Sequence, residues 1–82
     1  MKDNFTVTQA QAEFYAEKNQ TLRSIQKEIH NTKVSLNDDL LATDERNYLL
    51  RELAGLQARF QSIASLNPYN DNQTFNERLA TL

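Results

Sequence analysis

The chain has 82 residues, so it holds one domain at most, and a domain of that size has a marginal core. It contains no cysteine, which excludes disulfides and thiolate metal sites as staples, and its net charge of −2 argues against a dedicated nucleic-acid binder. Glycine and proline occur once each, at Gly55 and Pro68, which favours long helices over a β-sandwich. The route to stability that remains is helix packing, within the chain or between chains.

Residues 1–7 read as an arm. The opening stretch, MKDNFTVTQAQAEF, has no apolar core segment, so no cleaved secretory signal is expected; a polar, uncleaved export signal is left open. No apolar run reaches the ~18 residues of a membrane span. Thr6 with Gln9, and Thr8 with Gln11, have capping-box spacing, which predicts a helix over residues 8–36. Its apolar seam runs through Leu22, Ile25, Ile29 and Leu36, with Thr32 at the one polar position. These steps of three and four residues are those of a coiled-coil stripe. Before Leu22 the same stripe is held by Gln11, Tyr15 and Lys18, and the adjacent Phe14 and Tyr15 point to different sides, one toward the hairpin core and the other toward a second surface.

Residues 37–43 form a polar break, with Leu40 and Leu41 positioned to plug the hairpin end or to extend an interface. Thr43 is the expected N-cap of a second helix over residues 44–66, with Asp44 and Glu45 in its first turn facing the positive end of the helix dipole. The second seam is Leu49, Leu53, Leu56, Phe60 and Ile63. Pro68 ends this helix by disfavouring helical geometry in the residue before it. A turn-rich loop over 67–73 follows, then a short helix over 74–82. That helix opens with the capping-box pair Thr74 and Glu77 and carries Phe75, Leu79 and Leu82 as a docking stripe.

No Asp or Glu has a Lys or Arg three or four residues away, so the helices lack the intrahelical ion pairs that stabilise isolated helices. Their stability has to come from burying the seams, at ~1.5–3 kcal/mol for each fully buried Leu or Ile. Ordering the chain costs roughly as much, so two helices alone barely balance, and a third helix or a second chain would make up the sum. The C-terminal helix is too short to stand alone. It is expected to dock either on its own hairpin or on a neighbouring chain, the neighbour being favoured because the hairpin's two seams already face each other.

The polar residues offer little chemistry. Glu13 and Glu17 sit one turn apart, with nothing to form a cleft or to drive their pKa values apart, and read as a solvated face. Asp38, Asp39, Asp44 and Glu45 lack the pattern of an EF-hand loop and read as capping and loop residues; the Asn70-Asp71-Asn72 cluster fails the same test. His30 is the only histidine and is expected to be exposed. Arg23, Lys27, Lys33, Arg46, Arg51 and Arg59 are interspersed with acids and read as mixed solvent surface. No phosphate loop or nucleophile motif is present. No catalytic, cofactor-binding or metal residues are assigned, and no cofactor is expected.

From Asp44 onward the chain resembles the helical-hairpin region in the N-terminal half of flagellins. Asp44, Glu45 and Arg46 match the opening of that segment, Leu49, Glu52, Leu53, Leu56, Phe60, Ile63 and Ala64 follow its spacing, and Thr74, Phe75, Asn76 and Leu79 look like its closing signature. The departures are the insert SLNPYNDNQ between Ala64 and Thr74, the adjacency of Thr74 and Phe75, Glu77 in place of the family's glycine, and the missing polymerisation helices. The resemblance implies a rod-like hairpin packed in a large helical assembly, not a working flagellin.

The sequence therefore predicts an all-α protein, a long antiparallel helical hairpin with a short C-terminal helix. The expected role is a non-enzymatic structural or adaptor subunit of a filament, secretion apparatus or phage particle. Its partners would be protein, itself or a larger assembly, and not nucleic acid. A small helical chaperone that covers a partner's amphipathic helix is the second reading, and a nucleic-acid-binding homodimeric bundle the third.

Overall fold

The computed structural model describes residues 9–70 and 72–82. Three helices follow in chain order: α1 (Gln9–Leu36), α2 (Thr43–Ala64) and α3 (Phe75–Leu79). The helices α1 and α2 pack along their length as an antiparallel hairpin, and α3 packs back on α1. The fold is all-α, as the two heptad stripes predict. The described residues extend over 63 × 25 × 13 Å, a thin rod in which α1 and α2 lie side by side as one layer. A single layer leaves both broad faces of the hairpin open.

The expected arm, the start of the first helix at residue 8 and the cap residues Thr6 and Thr8 lie outside the described residues. Gln9 and Gln11 are already helical, and the Gln9 amide donates to Glu13 Oε2 at 3.2 Å. At the other end of α1 the chain turns through Asn37–Leu41. The Asp38 carboxylate accepts from Leu40 N at 2.9 Å, an Asx-type turn that substitutes for the missing helical bonds.

The start of α2 departs from expectation. Thr43 is the first helical residue and Ala42 is the N-cap, with extended backbone at φ −66° and ψ 155°. Alanine has no side-chain acceptor to offer the free amides. Instead Glu45 reaches back and accepts from Ala42 N at 3.2 Å, the carboxylate half of a capping box. At its far end α2 stops at Ala64, two residues short of Leu66. Leu66, released from the helix, turns into the core and is 3% exposed.

The core sits at the open end of the hairpin. Phe14, Ile63, Leu66 and Phe75 are buried together with Ile25, and Leu22, Ile29, Leu56, Phe60 and Leu79 pack partly buried around them. The Phe14 and Phe75 rings meet edge to face, with centroids 5.5 Å apart at 89°. The seam expected before Leu22 therefore shifts: Phe14, not Tyr15, faces inward. Phe14 and Ile25 are eleven residues apart, three helical turns, which puts them on one stripe. Thr32 is buried on the seam, and its hydroxyl donates to the Glu28 carbonyl of its own helix at 2.9 Å.

The docking of α3 follows the less favoured of its two expected readings. It folds onto its own α1, because the apolar end formed by Phe14, Ile63 and Leu66 needs a lid that the two seams do not supply. Thr74 and Glu77 form the full capping box, with Glu77 N donating to Thr74 Oγ1 at 3.1 Å and Thr74 N to Glu77 Oε1 at 2.8 Å. Of the three stripe residues, Phe75 is buried and Leu79 half-buried, but Leu82 is 61% exposed. The helix ends at Leu79 and the chain finishes in a turn, so the i+7 position lies beyond the helical repeat.

These burials order the expected costs of truncation. Ile63→Ala and Phe75→Ala should each lose ~2–5 kcal/mol, enough to remove the cooperative melt of so small a domain. Leu53→Ala, at a half-buried position, should cost less than Ile63→Ala. Deleting residues 74–82 should lower hairpin stability as Phe75→Ala does. Thermal and urea melts followed by circular dichroism measure this ranking; an undisturbed melt for the truncated chain would contradict the intrachain lid.

Candidate interaction surface

The hairpin is stapled at both ends by cations that cap helix carboxyl termini. Lys18 Nζ donates to the Leu66 carbonyl at 2.8 Å, and Arg78 Nε to the Asn67 carbonyl at 2.8 Å. At the tip, Arg46 donates to the Leu36 carbonyl at 3.0 Å and to the Asp38 carbonyl at 3.2 Å. Carbonyls at a helix C-terminus lack helical partners and carry partial negative charge, so a cation there gains a hydrogen bond and a favourable dipole interaction together. Lys18 also lies over the Tyr15 ring, 5.6 Å from its centroid, and Arg78 over Tyr69 at 4.1 Å. These three residues are the cations that hydrogen-bond among the described residues.

With those three engaged, Arg23, Lys27, Lys33, Arg51 and Arg59 stand exposed on the shaft. At 100° per residue, Arg23, Lys27, His30 and Val34 fall on the side of α1 opposite Ile25 and Ile29, the edge facing away from α2. The acids collect elsewhere. Asp38, Asp39, Asp44 and Glu45 are all exposed at the tip, where the nearest cation, Arg46, is turned inward. The tip is therefore acidic, and the outer edge of α1 basic.

The expected packing residues divide by position along the hairpin. Ile25 and Ile63 are buried. Leu22, Ile29, Leu36, Leu49, Leu53, Leu56 and Phe60 are each half-buried. Beyond Ile25 toward the tip, no apolar residue reaches full burial. Leu40 projects into solvent at 92% exposure, whereas Leu41 lies half-buried. With Tyr48 and Leu49 it floors a shallow depression of about 340 Å³ rimmed by Asp44 and Glu45. The Glu52 carboxylate, one turn on, accepts from the Tyr48 phenol and holds its pKa above the usual tyrosine value. A second open depression of about 370 Å³ lies on the shaft between Leu22, Arg23, Gln26 and Phe60.

Glu13, Glu17 and His30 are exposed, and among the described residues no three His, Asp or Glu converge as a metal-binding group. No helix of the described residues is long and apolar enough to cross a membrane. Leu66 is the core residue that the heptad reading passed over, and Phe14 is the member of the Phe14–Tyr15 pair that serves the core. The signals were there: Phe14 lies three turns before Ile25, and Leu66 continues the three-residue step from Ile63. No protein-family model matches this chain, and neither a curated protein nor a solved structure is significantly similar to it.

Uneven burial predicts uneven local stability. In dilute protein, amides near Val34, Leu36 and Leu49 should exchange with solvent faster than those near Phe14, Ile25 and Ile63, as hydrogen exchange by mass spectrometry would report. Arg46→Met should cost ~1–2 kcal/mol through the unpartnered Leu36 carbonyl, while Arg51→Met should stay within ~0.5 kcal/mol of wild type in urea melts.

Proposed function

We propose that this chain is a non-enzymatic structural or adaptor subunit of a larger protein assembly, a filament, secretion apparatus or virion, and that it acts by helix–helix packing. The observation that carries the reading is the unsaturated tip half. The apolar seam residues there are only half-buried in a single helical layer, and Leu40, Tyr48 and Leu50 remain 48% exposed or more. Apolar side chains flanking an incompletely closed seam are what an added helix would cover. The resemblance of residues 44–82 to a flagellin hairpin is compatible with this reading.

The reading is tested by the molar mass of the full chain from light scattering, alone and co-expressed with its genomic neighbours. A fixed stoichiometric place in a particle or polymer is the expected result. A one-to-one soluble complex with an otherwise aggregating partner would replace it with the chaperone reading, and retention on polyanion at physiological salt with the nucleic-acid reading.

A further inference from the structure

The apolar stripe of each helix is wider than the contact that closes it, and the excess lies on one broad face. At about 100° per residue, Leu36, Ile29 and Leu22 are turned about 20°, 40° and 60° from Ile25 in one sense round α1. Phe60, Leu53 and Leu50 are turned about 20°, 40° and 100° from Leu49 in the same sense round α2. Because the helices run antiparallel, the same sense on each leads to the same broad face, and Leu22 and Phe60 line one depression on it with Gln26. The seam residues turned this way are half-buried and Leu50 is 48% exposed, whereas Phe14, Thr32 and Ile63, turned slightly the other way, are buried.

Charge divides along the same line. Every carboxylate of α1 and α2 is turned to the opposite side: Glu28, Glu17 and Glu13 by about 60°, 80° and 120° from Ile25, and Glu45, Glu52 and Asp44 by about 40°, 60° and 140° from Leu49. The first face therefore holds none. Lys33 is the exposed cation on it, with Arg23 at its rim, while Lys18 and Arg46 are bound to carbonyls. We propose that two copies stack face to face through this surface, antiparallel, forming two layers with the helix carboxylates outward. This pairing rests on the assembly reading and names its first partner, a second copy of the chain.

A second copy fits this face in area, charge and register. The 22 residues of α2 span about 33 Å, and two helices side by side about 20 Å, so the face offers roughly 650 Å² in projection. Accessible area exceeds projected area, which brings the ~800 Å² per partner of a stable complex within reach. Stacking unlike faces would bury carboxylates against apolar side chains. A two-fold axis along the rods would gather Asp38, Asp39 and Asp44 of both tips, so the axis crosses the rods. The Lys18 and Arg46 bonds mark the ends of the paired length, and Gln26 and Gln57 lie near its middle. They are turned about 100° from Ile25 and about 80° from Leu49, so both point at the facing layer. A two-fold axis there sets each amide against its own copy, donor to acceptor. It also carries Leu50, about two turns to one side of Gln57, to the level of Ala64, about two turns to the other. A large exposed side chain thereby meets a small exposed one.

Sedimentation of the full-length chain over a range of concentrations tests the pairing, and a dimer is expected. Gln26→Glu and Leu50→Glu should each weaken it about tenfold or more, the first by setting two carboxylates together and the second by burying one in an apolar contact. Ser24→Glu should leave it unchanged, because Ser24 stands at the level of Gln26 but about 200° round the helix, on the carboxylate side. All three positions are exposed, so circular dichroism should show unchanged helicity. The chain has no cysteine, so Gln26→Cys should oxidise to a covalent dimer and Ser24→Cys should not. A dimer that Ser24→Glu weakens as much as Gln26→Glu, or that cross-links through Ser24→Cys, overturns this face and leaves the assembly reading standing. A wild-type chain still monomeric at about 1 mM overturns the pairing outright, since a contact weaker than that is no stable interface. If that monomer still enters a particle with its co-expressed neighbours, the assembly reading stands without the pairing.

Discussion

The fold depends on closing one end of a two-helix layer. Two packed helices shield one strip of each from water, and the strip is open at its ends. Here the chain puts its largest side chains at the open end: Phe14 on α1, Ile63 and Leu66 at the exit of α2, and Phe75 on the returning helix. The edge-to-face contact of Phe14 with Phe75 ties the first turns of α1 to a five-residue helix that could not persist alone. The α3 helix is therefore less an appendage than the third wall of the core. The loop before it is held by Arg78, which bonds the Asn67 carbonyl and stacks on Tyr69.

Electrostatics enters through the backbone rather than through ion pairs. The spacing of charges forbids intrahelical pairs, and three cations serve instead at the places where carbonyls run out of helical partners. Lys18 crosses from α1 to a carbonyl just past the end of α2, and Arg46 from α2 to the last carbonyl of α1, so each bond also fixes the register of the hairpin. A slip of one helix along the other by a single turn, about 5.4 Å, would break both caps at once. The seam alone would resist such a slip less, because its half-buried leucines are nearly interchangeable.

The tip is the complement of this arrangement. It carries the acidic residues, the half-buried part of the seam and the exposed Leu40, with Arg46 as its one tertiary anchor. Burial thus falls along the hairpin from the aromatic end to the tip. The domain therefore has its core at one end and leaves apolar side chains uncovered at the other.

The all-α hairpin was legible in the sequence because a heptad stripe is a local property: the spacing of Leu22, Ile25 and Ile29, or of Leu49, Leu53 and Leu56, decides which face is apolar whatever surrounds it. The capping box of Thr74 and Glu77 was legible for the same reason, since both partners lie within one turn. The choice of Ala42 over Thr43 as N-cap was not, because it turned on the reach of Glu45 and the path of the loop. Nor was the docking of α3, where the stripe of Phe75 and Leu79 specifies an apolar contact but not whose. That was decided by Phe14, whose inward face becomes an open apolar end only once α1 and α2 are packed. Periodicity therefore determined which side chains seek burial, and the tertiary structure alone decided which of them find it within this chain, because that depends on how far each element lies from the hairpin's closed end.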